Sequence, residues 1–255
     1  MTTEKLRGKR VLVTAGAQGI GAAITRRFIE ADATVAVHYY SSESSAKSLV
    51  DEARGRGLDA IAVQGDLTQR EDAERVAVEI KSAFGGLEVL INNAGSLVER
   101  RYHGDVDDIH WKTVWDVNVT SAQNMSQAVV ELLGKNGGSS IVNLASLAGR
   151  KGGHPGSLAY STSKGAILTW SRALASELAP KGIRVNALAP GLILGTSFHD
   201  THTTKESADA TVATIPLGRA GNVDDVARAA LYLASEFDGF ITGATLDING
   251  GVYAC

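Results

Sequence analysis

Tyr160 and Lys164 stand four residues apart in the run Tyr160-Ser161-Thr162-Ser163-Lys164. On a helix that spacing puts both side chains on one face, one turn apart. An ammonium beside a phenol favours the phenolate, so the pair predicts a Tyr160 pKa drawn down from about 10 toward working pH. A tyrosine tuned in that way can give a proton to, or take one from, a carbonyl or alcohol oxygen. Alone, such a pair more often marks a solvated helix face, and the chemistry needs support from its surroundings.

A second group of residues suits a phosphate. Ala15-Gly16-Ala17-Gln18-Gly19-Ile20-Gly21 follows the apolar, β-branched run Arg10–Thr14 and precedes a helical pattern over Ala22–Ala31. Strand, glycine-rich turn and helix is the context in which free N–H groups at a helix start meet a pyrophosphate. A tight turn that merely packs helix on strand is the plainer alternative.

The elements that must position these groups alternate along the whole chain. Strands are expected at Thr34–Tyr39, Ala60–Val63, Leu87–Ile91, Ser140–Leu144, Ile183–Leu188 and Ala244–Ile248, all short and mostly apolar. Helices are expected at Ser44–Arg54, from a Thr68/Glu71 capping box to about Phe84, over the long stretch Asp107–Leu133, over Ser157–Leu178 with Ser157 as N-cap, and over Asn222–Ala234 with Asn222 as cap. This alternation predicts an α/β fold: a doubly wound parallel sheet with helices on both faces. Residues 1–255 read as one domain, with a substrate loop or lid at about 192–214.

The composition excludes several classes. A net charge of −3 argues against nucleic acid as a partner, and no apolar run is long enough to span a membrane. The single cysteine, Cys255, leaves no disulfide and no zinc-thiolate site within the chain. No His or carboxylate cluster suggests a metal. Met1–Arg10 is polar and runs into a strand, so no signal peptide is expected, and a cytoplasmic setting fits.

Taken in order, the glycine turn at 14–21, Asp66, Asn92-Asn93-Ala94-Gly95, Asn118, Ser146, Tyr160–Lys164, Pro190-Gly191 and Asp247–Gly251 resemble the short-chain dehydrogenase/reductases over nearly the whole length. The resemblance implies a seven-stranded Rossmann-type sheet, a nicotinamide cofactor and a catalytic group of Asn118, Ser146, Tyr160 and Lys164. Tyr160 would be the acid in reduction and Ser146 would hold the substrate oxygen. Lys164 would lower the Tyr160 pKa and bond the nicotinamide ribose, while Asn118 would anchor a water linking Lys164 to solvent. Gly16, Gln18, Gly19, Ile20 and Gly21 would line the pyrophosphate. Tyr39, Tyr40, Ser41, Asp66, Leu67, Asn93, Ala94 and Gly95 would serve the adenosine half and the turn beside it. Pro190, Gly191, Ile193 and Thr196 would reach the nicotinamide end. Two departures stand out. The family usually has glycine where Ala15 stands, with Gly16 next door to compensate, and its threonine five residues past the proline is here Gly195, with Thr196 one later. Members of the family commonly form tetramers through the two long helices, and a homotetramer is expected here.

The second strand ends His38-Tyr39-Tyr40-Ser41-Ser42, with no acid before Glu43. Nothing there would repel a 2′-phosphate, so NADP(H) is expected ahead of NAD(H). Arg100, Arg101, Arg150, Lys151, His154, His199 and His202 gather near the expected site, with Phe198 among them. They are either a solvated rim or a basic mouth for a polar or anionic carbonyl such as a keto-sugar or keto-uronate. A 3-oxoacyl-carrier-protein reductase is the alternative enzyme, and a non-catalytic dinucleotide sensor the alternative of another kind.

Overall fold

The computed structural model describes residues 3–134, 138–196, 204–235 and 239–254, with side chains from Lys5 onward. Seven strands form one sheet in the order β3-β2-β1-β4-β5-β6-β7. They are β1 (Arg10–Val13), β2 (Thr34–Tyr39), β3 (Ala60–Gln64), β4 (Val89–Asn92), β5 (Ser139–Leu144), β6 (Ile183–Pro190) and β7 (Thr245–Ile248). Every neighbouring pair runs parallel, with β1 set against β4 through Val11–Val89 and Val13–Ile91. Strands β5 and β6 are buried at every residue, and their polar side chains are bonded inside the fold: Ser140 to the Leu233 carbonyl, Asn143 to Ser171 Oγ and Asn186 to the Ile241 carbonyl.

Two helical layers cover the sheet. Helices α1 (Gly19–Glu30) and α2 (Glu43–Gly55) bury Ile24, Phe28, Ile29 and Leu49 on one face. On the other face α3 (Arg70–Phe84) buries Val76 and Ile80. Full burial of a side chain such as Phe28 stabilises the fold by about 1.5–3 kcal/mol.

Several local expectations change. Strand β6 continues through Pro190, which lies at its carboxyl end and needs no further ladder donor. The Thr68/Glu71 capping box does not form. Gln69 is the N-cap of α3, and Thr68 instead donates its N–H and hydroxyl to Asp66 Oδ1 at 3.0 and 2.7 Å. A short side chain that satisfies its neighbour's turn cannot also cap the helix beyond it.

The stretch at 107–133 is three pieces. Asp107 caps α4 (Asp108–Trp115) by accepting the His110 N–H at 2.7 Å. A π turn follows over Asp116–Thr120, and α5 covers Ser121–Val129. The extra residue in that turn rotates Asn118 inward, where it is buried. After β5 comes a short helix α6 (Ala148–Lys151).

Helix α7 (Leu158–Leu178) buries Ala159, Ser163, Ile167, Ser171, Ala175 and Leu178 along one stripe, with Lys164 and Leu168 beside it. Ile167, Leu168 and Ala175, within the stretches expected to meet another subunit, are inside this chain's own core. Ser157 is the N-cap but gives no side-chain cap, because its hydroxyl donates to the His154 carbonyl at 2.5 Å. Beyond residue 203 come α8 (Lys205–Val212) and α9 (Val223–Ser235), with Asn222 Oδ1 accepting the Asp225 N–H at 3.0 Å as expected of the cap.

Candidate active site

The strand order reverses between β1 and β4, and a crevice opens there at the carboxyl ends of the strands. A cavity of about 760 Å³ occupies it. One end is walled by the glycine turn. Gln18 caps α1 without a side-chain bond, and among the described residues the N–H groups of Gly19, Ile20 and Gly21 have no acceptor, so they face the cavity as open donors. A Cβ on Gly21 would collide with the Ala15 carbonyl and come within 2.6 Å of Asn93 Nδ2. Only a bare backbone fits, which leaves a cradle of the kind a pyrophosphate needs.

Thr14, which the sequence did not single out, ties this turn to β4. Its Oγ1 accepts the N–H groups of Asn93 and Ala94, each at 2.9 Å. Asn93 Nδ2 in turn donates to the carbonyls of Thr14 and Ala15 at 3.0 and 3.1 Å. The cavity wall includes Gln18, Gly19, Ile20, Gly21, Asn93, Gly95, Pro190, Gly191, Ile193 and Thr196. Gly16 and Ala94 stand behind it. Tyr39, Tyr40, Ser41, Asp66 and Leu67 do not line it; they lie at the ends of β2 and β3, where Leu67 is buried and Tyr40 exposed. Thr196 is buried and lies over the start of α1, its Cγ2 3.7 Å from where a Gly19 Cβ would stand. The residue inserted before it, Gly195, takes φ +76°.

Around the middle of the cavity Ser146, Tyr160, Lys164 and Asn118 come together. Ser146 Oγ accepts the Ala148 N–H at 3.1 Å, which leaves its own proton for the phenol of Tyr160. Lys164 lies 5.8 Å from the centre of the Tyr160 ring and donates to the Leu144 carbonyl at 2.8 Å. Gly95 sits between Lys164 and Asn118, since a Cβ there would be 2.7 Å from Asn118 Oδ1 and 2.8 Å from Lys164 Nζ. Asn118 brackets the backbone of Ser96, accepting its N–H at 3.1 Å and donating to its carbonyl at 2.6 Å.

The electrostatics reverse one expectation. Burial pushes the Tyr160 phenol above its ordinary value, and the Ser146 hydrogen bond only partly draws it back. Burial also lowers the Lys164 ammonium to about 8. Lys164 stands over the ring and donates to the Leu144 carbonyl, and its charge does not offset the burial of the phenol.

The far end of the cavity is lined by Leu97, Leu147 and Ser157, by Ser207 and Thr211 of α8, and by Arg100, Lys151 and His154. Among the described residues no Asp or Glu lines it. Two expected rim cations are committed elsewhere. Arg150 grips Asp247 through both carboxylate oxygens at 3.2 and 3.0 Å, and Arg101 is paired with Glu99 and Asp107. Phe198, His199 and His202 lie outside the described residues. Among the described residues no group of three His, Cys, Asp or Glu side chains could hold a metal, and no helix is long and apolar enough to cross a membrane.

The family model described as enoyl-(acyl carrier protein) reductase matches residues 14–253. The chain is 33% identical over 245 residues to the 3-oxoacyl-[acyl-carrier-protein] reductase FabG of Staphylococcus aureus, covering 96% of this chain and 98% of that one. Among solved structures it is similar to a mutant short-chain dehydrogenase/reductase of Serratia marcescens, with TM-score 0.91 and 30% identity over 98% of this chain and 100% of that one. It is also similar to the NADH-dependent reductase A1-R′ responsible for alginate metabolism, with TM-score 0.89, 29% identity and coverage of 99% and 100%. A blue fluorescent protein from a metagenomic library in complex with NADPH gives TM-score 0.89, 32% identity and coverage of 98% and 100%. With its parallel seven-stranded sheet and the crevice at the strand ends, the chain belongs to the short-chain dehydrogenase/reductase family of NAD(P)-dependent oxidoreductases.

Proposed function

We propose that this enzyme interconverts a carbonyl and a secondary alcohol on a small polar or anionic substrate, a keto-sugar or keto-uronate. One observation carries the substrate class: the Tyr160–Ser146 pair opens into a space whose charged lining includes Arg100 and Lys151, with His154 beside them and, among the described residues, no carboxylate. The exposed ammonium of Lys151 in this wall favours an anionic group there. Among the described residues Lys151 has no ion pair. The likeness to a reductase of alginate metabolism supports the sugar-acid class.

In reduction Tyr160 gives its proton to the carbonyl oxygen, a role suited to a phenol that burial keeps protonated. Ser146 holds that oxygen within reach. Lys164 provides positive charge beside the ring, which favours the phenolate as it forms. Asn118 holds the turn that carries Gly95 against Lys164 and anchors a water through which the proton is resupplied. A bound nicotinamide dinucleotide supplies or accepts the hydride. Gly16 and Gln18 through Gly21 would hold its pyrophosphate, Asn93 through Gly95 the turn beside it, and Thr196 the nicotinamide end.

NADP(H) is the preferred carrier in this reading. The end of β2 offers Tyr39, Tyr40 and Ser41, and the first acid, Glu43, is paired with Lys47 at 2.7 Å. Of the expected lid at 192–214, residues 197–203 lie outside the described residues, and α8 forms part of the wall at the substrate end. A homotetramer in the cytoplasm completes the proposal, with exposed Ile109, Trp111 and Leu158 on α4 and α7 as apolar surface to bury.

The test is a substrate screen of keto-acids, keto-sugars and a 3-oxoacyl thioester with both cofactors. Turnover of charged or polyhydroxy carbonyls, faster with NADPH, is expected. Selective use of the thioester would make the enzyme a carrier-protein reductase. Equal or better rates with NADH would overturn the cofactor preference, and NADPH binding without turnover of any carbonyl would make it a sensor.

A further inference from the structure

Ala15 has φ +46°, the left-handed region that an L-residue avoids and a glycine would enter freely. Gly16 does not relieve it. A Cβ on Gly16 would lie 2.8 Å from the Val13 carbonyl and 3.0 Å from Thr25 Oγ1, so that glycine is needed for close approach, and the strain stays on Ala15.

We propose that His38 is a positioning residue for the dinucleotide, a neutral imidazole bracket that holds Ala15 in this conformation and ties the glycine turn to the end of β3. The ring is 2% exposed and faces no part of the cavity. Its Nδ1 lies 3.0 Å from the Ala15 nitrogen, and a backbone N–H can only donate, so Nδ1 is the acceptor. Nε2 therefore carries the proton and donates to the Gly65 carbonyl at 3.0 Å. The backbone carbonyl of the same residue accepts the Gly16 N–H at 2.8 Å. One residue at the end of β2 thus holds the turn after β1 and the residue preceding Asp66 after β3.

The consequence reaches the cradle. With its N–H fixed, Ala15 presents its carbonyl to Asn93 Nδ2 at 3.1 Å and forms the floor against which Gly21 packs. Remove the acceptor and the Ala15 N–H loses its partner, while the strained residue is free to return to negative φ and pull the floor away. Burial lowers the His38 pKa to about 4, against the Gly65 carbonyl and the charges of Asp72 and Asp66, with Arg75 adding to the lowering, so the bracket is intact at neutral pH.

The inference rests on Gly19–Gly21 being the pyrophosphate cradle, and one control separates the two. NADPH and NADH are titrated, by nicotinamide fluorescence, against the wild type, Gly21→Val, His38→Leu, His38→Asn, His38→Gln and His38→Leu with Ala15→Gly. Leucine leaves the Ala15 N–H unpaired, and about a tenfold rise in Kd is expected for both cofactors. The cofactor KM should rise in parallel while kcat falls much less. Asparagine puts Oδ1 where Nδ1 stands and should bind within about threefold of wild type; glutamine reaches Gly65 alone and should behave as leucine. Glycine at 15 accepts the left-handed conformation unaided and should recover part of the loss. Wild-type affinity in His38→Leu, or asparagine no better than glutamine, overturns the proposal, and the asparagine–glutamine order decides it even where the leucine variant does not fold. If Gly21→Val also binds normally, the cradle assignment falls with it.

Discussion

The two ends of the cavity are built differently. The nucleotide end is made of backbone: strand ends, a glycine turn and the first turn of α1, cross-tied by Thr14, Asn93 and His38 at 2.8–3.1 Å. The substrate end is made of side chains on short loops and helices, several of them exposed, such as Lys151 and His154. A backbone site depends little on side-chain identity, whereas a side-chain site is altered by single substitutions.

Four perturbations sharpen that contrast, from the largest effect down. Tyr160→Phe removes the proposed proton donor at the boundary of the two ends. It should lower kcat by about a thousandfold, with NADPH affinity within about threefold of wild type by fluorescence titration. A kcat within tenfold of wild type would break the assignment.

Acid is next, and through His38 it acts on the nucleotide end. The folded protein keeps His38 neutral down to about 4, whereas the unfolded chain takes up that proton near 6.5. Stability should therefore fall as pH drops from about 6.5 toward about 4, by about 3 kcal/mol in all from this group, with no further loss from it below. Urea midpoints across that range should show the slope in the wild type and a reduced slope in His38→Asn.

Gly95→Ala is third. Its methyl group would push on Asn118 and Lys164 together, and kcat should fall about tenfold to a hundredfold, with an unchanged far-ultraviolet spectrum. A variant at wild-type rate would mean that these two side chains need not hold their positions.

Lys151→Ala, at the substrate end, is smallest. It should raise KM for an anionic carbonyl about fivefold to tenfold and change kcat little beside Tyr160→Phe. That rise should shrink in high salt, because an exposed charge is screened.

Much of the fold was legible because each strand is a short apolar run closed by a turn, and β2 occupies the expected residues, Thr34–Tyr39. The residues proposed for catalysis, Ser146, Tyr160 and Lys164, were picked out by their order along the chain, and the structure brings them together around the cavity. What stayed hidden depends on distant partners. Arg150 resembled a rim cation, but Asp247 reaches it from 97 residues away. Asn118 entered the expected group through the family resemblance alone; the π turn that carries it inward has no spacing signature. His38 sat at a strand end like any β residue, and its function appears only when Ala15 and Gly65 are brought to either side. The Tyr160 pKa went the other way from expectation because spacing carries no information on desolvation. A histidine one or two residues before the end of β2, paired with a non-glycine residue opening the glycine turn, is the sequence signal that would have found the bracket.

The most direct measurement is the ratio of kcat/KM for a keto-uronate and its neutral methyl ester, in wild type and in Lys151→Ala. If the substrate end selects by charge, the acid is favoured about tenfold or more in the wild type, and the preference collapses in the variant. A ratio near one in the wild type, or a preference for the ester, contradicts it.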